Sequence, residues 1–338
     1  MTTNRRVTVF GASGHTGRFV VSELRARGWT PILSGRDAEK LNQVAVAHPG
    51  LEVRPATIES PVSLDRALAG ACAVINCAGP FLDTAGAVIE AALRARIHYL
   101  DVTAEQAAVR AAFERFSERA RERAITVIPA MAFYGGLGDL LATCAVGDWA
   151  TADEILIAVA LDSWRPTVGT RRTGERNTFP RVVLTGNRFE TMPNPPPRRT
   201  WSFPPPFGTQ EVVGLALSEI ITISHHLRVP EVHAFMNLPP VRDVSDPGTP
   251  PPTASDETGR SSQIFMVDVI ARRGGEERRA VASGRDIYAV TAPLVVEATQ
   301  RLVAGRVRAT GVVAPGEVFD ARDFLKSLSP AHLSLELR

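Results

Sequence analysis

The fold is decided by the stretch VTVFGASGHTG, residues 7–17, where a short apolar run is followed at once by three glycines. The apolar run predicts a buried β-strand, and His15–Arg27 predicts an amphipathic helix. A strand, a glycine-rich turn and a helix in this order are typical of a dinucleotide-binding unit. Gly11 permits the tight turn, Gly14 lets the backbone approach a pyrophosphate, and Gly17 lets the helix pack on the strand.

The chain continues this alternation of strands and helices up to about residue 147. We expect a doubly wound parallel sheet, a Rossmann domain over residues 1–147, because strands that alternate with helices predict βαβ units. The further strands are predicted at Pro31–Ser34, Leu51–Pro55, Ala73–Cys77, Ile97–Val102 and Ile125–Ile128, and the helices at Ala38–Ala47, Ser63–Ala69, Ala85–Arg96 and Glu105–Arg123.

Beyond residue 147 the pattern changes to strands with few helices between them. Strands are predicted at Glu154–Leu161, Arg181–Arg188 and Ile220–Ser224, and a hairpin is predicted from Gln263–Arg272 and Glu277–Arg285 around Gly274-Gly275. Proline-rich stretches, including residues 246–262, predict surface loops. We expect an α+β domain on a mostly antiparallel sheet over residues 148–290, for substrate binding or dimerisation. Helix 291–304 and the C-terminal tail are expected to complete the first domain.

Composition excludes several classes of protein. The chain has 338 residues, 44% of them hydrophobic and 22% charged, with a net charge of +2. This is typical of a soluble globular protein and gives no broad attraction to nucleic acid or membrane, so neither partner is expected. Three cysteines without paired spacing, Cys72, Cys77 and Cys144, favour a reducing compartment, and we expect a cytoplasmic protein.

The glycine turn and the first turn of its helix are expected to hold the cofactor phosphates. The N-terminus of a helix offers unpaired N–H groups and the positive end of its dipole. Together with the three glycines, we expect Ser13, His15 and Thr16 to take part.

The end of the second strand distinguishes the two nicotinamide dinucleotides. An NAD site has a carboxylate there, which accepts a hydrogen bond from the ribose 2′-hydroxyl. This chain has Ser34-Gly35-Arg36 instead, while the nearby Asp37 is predicted to cap the next helix. A guanidinium and a hydroxyl suit a 2′-phosphate, so the sequence predicts NADP(H).

The end of the fourth strand is expected to lie beside the ribose and nicotinamide, because the carboxyl ends of parallel strands face the ligand crevice. The residues there are Cys77, Ala78, Gly79 and Pro80. Cys77 is interpreted as a small buried apolar group rather than a nucleophile, since no histidine stands at a suitable spacing.

Several of these segments together resemble the saccharopine dehydrogenase-like reductases, a family that includes proteins described as trans-acting enoyl reductases. The resemblance is carried by the glycine turn, Ser-Gly-Arg, VINCAGPF (74–81), HYLDVTAE (98–105) and GGLGDL (135–140), and more loosely by IITISHHL (220–227) and GRDIYAVT (284–291). It implies a Rossmann domain joined to an α+β domain, a nicotinamide cofactor and reduction of a C=N or activated C=C bond. Ala104 stands where the family usually has the glycine of Asp-x-Thr-Gly-Glu.

Candidate catalytic groups follow the fifth and sixth strands or precede the last long helix. The tyrosine–lysine pair of short-chain dehydrogenases is excluded, because the residues four positions after the three tyrosines are threonine, glycine and alanine. We predict Tyr134 as the proton donor, with Asp139 and Tyr288 as further catalytic candidates. Other possible donors, Asp101, Thr103 and Glu105, have an alternative role in capping a helix.

No metal site is expected. His225 and His226 lie in a predicted strand, where adjacent side chains point to opposite faces, and no cysteine or carboxylate completes a ligand set with His233.

The leading hypothesis is an NADPH-dependent reductase of an imine or enoyl group in a small or carrier-linked metabolite, with a homodimer as the candidate assembly. A regulator that senses NADP(H) without catalysis is a second hypothesis. A dehydrogenase that joins an amino acid to a keto acid is a third, with carboxylates bound by cationic groups among Arg165, Arg171, Arg172 and Arg176. Saccharopine itself is not implied.

Overall fold

The computed structural model describes residues 5–307 and 309–338. Its strands are β1 (Arg6–Phe10), β2 (Thr30–Gly35), β3 (Glu52–Pro55), β4 (Ala73–Asn76), β5 (His98–Asp101), β6 (Thr126–Ile128), β7 (Glu154–Leu161), β8 (Val182–Thr185), β9 (Arg188–Thr191), β10 (Arg198–Ser202), β11 (Thr209–Gly214), β12 (Glu231–Asn237), β13 (Ile264–Arg273), β14 (Glu276–Arg285), β15 (Gly311–Val312) and β16 (Ser334–Leu337). Its helices are α1 (His15–Ala26), α2 (Ala38–Ala47), α3 (Pro61–Leu68), α4 (Phe81–Ala95), α5 (Gln106–Glu122), α6 (Gly138–Val146), α7 (Val168–Arg176), α8 (Glu219–His226), α9 (Leu238–Ser245), α10 (Thr291–Val303), α11 (Pro315–Val318) and α12 (Ala321–Leu328).

The first sheet is parallel and has the strand order β15-β6-β5-β4-β1-β2-β3. The predicted doubly wound sheet is therefore confirmed. The order reverses on either side of β1, which pairs with β2 on one side and with β4 on the other. In open α/β sheets the ligand crevice forms at this switch point, at the carboxyl ends of the strands. The glycine turn leaves β1 at this end of the sheet.

The second sheet is mixed and has the order β10-β11-β12-β7-β13-β14-β16, with β8 and β9 attached beside β12. The β7–β12 pair is parallel, and the other pairs are antiparallel. The hairpin predicted around Gly274-Gly275 forms from β13 and β14. The expected α+β part with a mostly antiparallel sheet is thus confirmed.

Two predicted strands of this part were wrong. Residues 220–224 lie in α8, where Ile220, Ile221, Thr222 and Ile223 are all buried. A short run of buried β-branched residues has the composition of a strand, so periodicity could not distinguish the two structures. The strand predicted over residues 181–188 is divided into β8 and β9 by Gly186 and Asn187, both with positive φ.

The chain after residue 290 joins both sheets. Helix α10 packs on α1, and β15 extends the first sheet beside β6. Strand β16, in contrast, pairs with β14 of the second sheet, so the C-terminal tail does not belong to the first part alone. We propose a domain boundary near residue 147, because β6 lies in the first sheet and β7 in the second.

One large hydrophobic core contains residues of both sheets, from Val7 in β1 to Ala280 in β14. The two parts therefore form a continuous packed unit around the switch point. Within residues 5–307 and 309–338, none of the helices combines the length and the hydropathy that a bilayer crossing requires.

Candidate active site

The glycine turn is packed directly against the end of β4. Gly11 has φ +86°, and a Cβ atom added there would lie 2.8 Å from the backbone N of Ala78 and 2.8 Å from the carbonyl carbon of Cys77. A Cβ on Gly17 would lie 2.2 Å from the carbonyl oxygen of Gly11. The structure therefore brings together the two loops that sequence reasoning assigned to the cofactor, and only glycine fits at these positions.

Helix α1 begins at His15 and presents its first turn at this crevice. Its N-cap is Gly14, whose N–H donates to the carbonyl of Gly11 at 3.0 Å and whose carbonyl accepts from the N–H of Arg18 at 3.0 Å. A glycine cap supplies no side-chain acceptor for the first N–H groups of the helix. These N–H groups and the helix dipole suit the pyrophosphate of a dinucleotide.

Ser34 and Arg36 have the surroundings that a bound 2′-phosphate would need. The carbonyl of Ser34 accepts from the N–H groups of Gly11 at 2.8 Å and Ala12 at 3.1 Å, which fixes this residue beside the turn. Its side-chain hydroxyl is buried and has no hydrogen-bond partner among the described residues. Arg36 is exposed, and its charge acts on Glu59. A hydroxyl without a partner and an accessible guanidinium are both hydrogen-bond donors, and the oxygens of a 2′-phosphate are acceptors. These residues therefore fit NADP(H).

The pKa of the Glu59 carboxyl is lowered, first by hydrogen bonds from its own backbone N–H and from the Thr57 hydroxyl, with a smaller contribution from the charge of Arg36. Arg36 is therefore not committed to Glu59 by a hydrogen bond.

A buried network fixes the loop after β4. The side-chain oxygen of Asn76 accepts from the N–H of Ala78 at 3.0 Å, and the Thr84 hydroxyl donates to the Ala78 carbonyl at 2.6 Å. The Asn76 amide donates to the Tyr99 hydroxyl at 3.2 Å, which donates to the carboxylate of Asp101 at 2.9 Å. Burial raises the pKa of Asp101 to about 6, against the opposing effect of hydrogen bonds from the backbone N–H groups of Ala130 and Thr103 and from the Tyr99 hydroxyl. The network positions Ala78 against Gly11.

The other polar residues after β5 have structural roles. The Thr103 hydroxyl accepts from the N–H of Glu105 at 3.0 Å, and the Glu105 carboxylate accepts from the N–H groups of Phe81 at 2.7 Å and Leu82 at 3.1 Å. Glu105 therefore caps the N-terminus of α4. Burial raises the pKa of the Cys77 thiol, in agreement with an unreactive side chain.

Helix α7 reaches the loop after β4 from the second part of the chain. All its residues are at least partly exposed. A Cβ on Gly79 would lie 3.0 Å from the Thr173 hydroxyl of this helix, and Arg176 forms an ion pair of 2.9 Å with Asp83 of α4. The crevice is thus covered on this side by α7.

Tyr288 connects α7 to the glycine turn. Its hydroxyl accepts from the indole N–H of Trp164 at 3.1 Å and lies 2.9 Å from the Thr170 hydroxyl of α7. Its ring meets the ring of His15 edge-on, with centroids 5.2 Å apart. The His15 Nε2 atom is buried and has no hydrogen-bond partner in the part of the chain that is described. Tyr288 therefore lies directly over the start of α1.

Tyr134 lies on the far side of Trp164, with ring centroids 5.5 Å apart. Its hydroxyl is buried and unpartnered within the described ranges. Burial raises its pKa well above the usual value, and the charge of Arg181 opposes this effect. Tyr134 belongs to a kinked π-type turn, Phe133–Leu137, where Gly135 has φ +89° and a Cβ would lie 2.7 Å from the side chains of Ala130 and Ser218. Turns of this kind are frequent at functional sites.

Asp139 does not join the two tyrosines. Its buried carboxylate lies 2.7 Å from the Nε2 atom of His226 and accepts from the N–H of Gly316 at 2.9 Å. It therefore connects α6 to α8 and α11, which is a packing role. His225 stacks on Phe113 with ring centroids 3.8 Å apart, so the two histidines, at the end of a helix rather than in a strand, have separate partners.

Three side chains of the site were not predicted from the sequence: Trp164, Arg181 and Glu219. The Nη1 atom of Arg181 is buried without a hydrogen-bond partner among residues 5–307 and 309–338. Burial lowers the pKa of Arg181, while the charges of Glu219 and Tyr134 oppose the shift. Arg181 lies 17 positions after Trp164 and 38 positions before Glu219, and the three residues belong to no common motif. They share no local sequence signal and meet only through tertiary packing.

Comparison with known proteins agrees with this geometry. Residues 7–128 match the model of the family described as the saccharopine dehydrogenase NADP binding domain. The saccharopine dehydrogenase-like oxidoreductase of Bos taurus is 29% identical over 145 residues, which cover 38% of this chain and 34% of that protein. Its counterpart from Rattus norvegicus is 27% identical over 146 residues, with the same two shares. The match thus spans about a third of the length of these curated relatives.

The fold is shared over a greater length. Apo saccharopine dehydrogenase (L-Glu forming) from Saccharomyces cerevisiae superposes with a TM-score of 0.71 at 14% identity, covering 99% of this chain and all of that one. Residues 7–128 are therefore similar to the saccharopine dehydrogenase NADP-binding domain, a similarity that indicates NADP(H) as the cofactor, and the chain as a whole shares the fold of that saccharopine dehydrogenase.

Proposed function

We propose that this chain is an NADPH-dependent oxidoreductase that reduces a C=N bond or an activated C=C bond of a small or carrier-linked metabolite. The observation that carries the proposal is a continuous set of side-chain contacts from the glycine turn to an unpartnered hydroxyl. His15 contacts Tyr288, Tyr288 binds Trp164, and Trp164 packs on Tyr134. The substrate would lie along these aromatic side chains.

The cofactor would be held by Gly11, Ser13, Gly14, His15, Thr16, Gly17, Ser34, Arg36, Cys77, Ala78, Gly79 and Pro80. When bound, NADPH supplies a hydride. The Tyr134 hydroxyl is protonated at neutral pH, as a tyrosine with a pKa at or above the ordinary value is, so this group can donate a hydrogen bond to the substrate. We assign Tyr134 as the proton donor, because the hydroxyl is available, whereas that of Tyr288 is already bound to Trp164 and Thr170.

Tyr288 is assigned a positioning role. Its hydroxyl fixes Trp164 and α7 over the crevice, and its ring covers His15. These contacts hold α7 and the start of α1 together at the crevice.

The amino-acid and keto-acid dehydrogenase is less well supported. That reaction needs cationic groups for two carboxylates, but three of the four arginines named for it have partners within the chain. Arg165 donates to the Thr253 hydroxyl at 3.3 Å, Arg171 donates to the carbonyls of Asp246 and Thr249, and Arg176 pairs with Asp83.

Turnover tests the proposal directly. NADPH oxidation is measured against panels of cyclic imines and of α,β-unsaturated carbonyl compounds, with Tyr134→Phe and Tyr288→Phe beside the parent chain. We expect oxidation with one panel, a loss of at least tenfold in kcat for Tyr134→Phe, and NADPH affinity within about threefold. Tight NADPH binding without oxidation in either panel would instead identify a non-catalytic NADP(H) sensor.

Two further parts of the proposal concern the surroundings of the protein. The unpaired cysteines, Cys72, Cys77 and Cys144, support a cytoplasmic location. Strand β10 stands at the end of the strand order of the second sheet, and an edge strand of this kind can pair with that of a second copy, which supports a homodimer. Light scattering of the purified chain distinguishes a dimer from a monomer.

A further inference from the structure

Two buried hydrogen-bond donors near the end of the aromatic contacts have no acceptor in the described part of the chain. They are the Tyr134 hydroxyl and the Nη1 atom of Arg181. The Gln106 amide donates to the carbonyls of Val182, next to Arg181, and of Leu217. Glu219 in turn accepts from the N–H groups of Leu217 and of Gly135, next to Tyr134. These contacts bring the two donors into one region, in agreement with the effect of each on the pKa of the other. A buried donor without an acceptor costs free energy, and a charged donor costs more. Two of them together therefore require an explanation.

The neighbouring carboxylate does not supply the missing acceptor. Glu219 is buried, and its oxygens accept from the N–H groups of Leu217 at 3.0 Å and Gly135 at 3.3 Å. Burial raises the pKa of Glu219, while these hydrogen bonds and the charge of Arg181 oppose the shift. The charge of Glu219 thus favours the cationic form of Arg181. The Glu219 oxygens, however, accept from the backbone N–H groups of Leu217 and Gly135 and not from Nη1 of Arg181.

The backbone at Arg181 is fixed on both sides. Its carbonyl accepts from the N–H of Met192 at 2.8 Å. The next residue, Val182, is held through both its backbone groups by the side-chain amide of Gln106, each at 2.8 Å. The backbone from which the Arg181 side chain extends is therefore fixed by the fold.

We propose that Arg181 and Tyr134 form a subsite for an sp² oxygen of the substrate, the carboxylate or carbonyl oxygen attached to the reducible bond. A guanidinium N–H and a phenol O–H directed at one oxygen satisfy both donors at once. The subsite selects a conjugated acid, ester, amide or ketone over a substrate that lacks such an oxygen. The identification of this ligand as a substrate rests on the proposed function. The binding of an oxygen acceptor at Arg181 and Tyr134 does not depend on it.

The test measures binding of non-reducible probes by calorimetry, with and without NADP⁺. Benzoate carries an anionic sp² oxygen, benzamide a neutral one, and benzyl alcohol none. We expect benzoate or benzamide to bind at least tenfold more tightly than benzyl alcohol. Arg181→Met is expected to remove this preference, with a 10- to 100-fold loss of affinity for the preferred probe, and Tyr134→Phe to lower it about fivefold.

Arg188→Met is the matched control, because Arg188 is an exposed arginine of β9. It should leave all three affinities unchanged. Tyr134→Phe keeps the test valid if Arg181→Met fails to fold without a counter-charge for Glu219, since removal of an unpartnered hydroxyl does not lower the melting temperature. A variant pair that binds every probe as the parent does would overturn the subsite, whatever its effect on stability.

The outcome is separate from that of the proposed function. Preference for an oxygen acceptor that depends on Arg181, without oxidation of NADPH by any compound, retains the subsite and refutes the reductase. Oxidation of NADPH that is unaffected in both variants retains the reductase but refutes both the subsite and the role of Tyr134 as proton donor.

Discussion

Replacement of Arg36 by leucine tests the selection of NADP(H) at the end of β2. The guanidinium is exposed, and the Ser34 hydroxyl beside the glycine turn is buried without a partner among the described residues. A hydrogen bond to a charged group contributes about 1.5–3 kcal/mol, and screening by solvent at an exposed site favours the lower end of this range. We expect about 1.5–2 kcal/mol, equivalent to an increase of about 10- to 30-fold in the Kd of NADPH.

The assay is a titration of protein fluorescence with NADPH and with NADH. NADH lacks the 2′-phosphate, so its affinity should change by less than about twofold in Arg36→Leu. Added salt should weaken NADPH binding in the parent chain and much less in the variant, because the lost interaction is ionic. Ser34→Ala should weaken NADPH further by about 0.5–1.5 kcal/mol for one neutral hydrogen-bond donor.

Lys40→Met is the control, since Lys40 is a nearby exposed cation that is already paired with Asp37 at 3.0 Å. It should leave both affinities unchanged. The reasoning is refuted if the parent chain binds both dinucleotides equally, or if Arg36→Leu weakens NADH as much as NADPH.

The remaining predictions concern Gly11 in the glycine turn, Asp101 in the buried network after β5, and Asp139, which contacts His226. Gly11→Ala should weaken the binding of both dinucleotides more than tenfold and lower the free energy of unfolding by at least about 1–2 kcal/mol. The reason is that φ is +86° and the new Cβ would lie 2.8 Å from the backbone of Ala78. A melting temperature and a Kd like those of the parent chain would contradict this. Burial raises the pKa of Asp101 from 3.8 to about 6, so the folded state favours the protonated carboxyl. Its contribution to the free energy of unfolding is fully present below pH 3.8, and about 3 kcal/mol is lost as the pH rises through 6. Asp101→Asn should remove this pH dependence from urea unfolding between pH 4 and 7, and an unchanged profile would count against the reasoning. Asp139→Ala should cost about 3 kcal/mol because it leaves the buried His226 unpaired, while kcat per folded molecule stays near the parent value; a selective loss of kcat would restore a catalytic role to Asp139.

The sequence alone was sufficient for the first sheet and its crevice. The signals there are local: glycines at positions that tolerate no Cβ, a helix cap at Asp37, and strands that alternate with helices. Gly11 and Gly17 are required by contacts within the turn or with the next loop, so their spacing already describes the geometry. The hairpin of β13 and β14 was predictable for the same reason, since its turn is encoded by two adjacent glycines.

Only the tertiary structure revealed the residues that we propose to contact the substrate. The run at 220–223 forms a helix in which all four side chains are buried. A fully buried run has no alternation of apolar and polar residues, so its sequence does not distinguish a helix from a strand. Tyr134 and Arg181 are 47 positions apart in the chain, and each taken alone is an ordinary residue. They become notable because packing of the two sheets buries both donors in one place and gives them no acceptor, which is a property of the folded chain and of no segment within it.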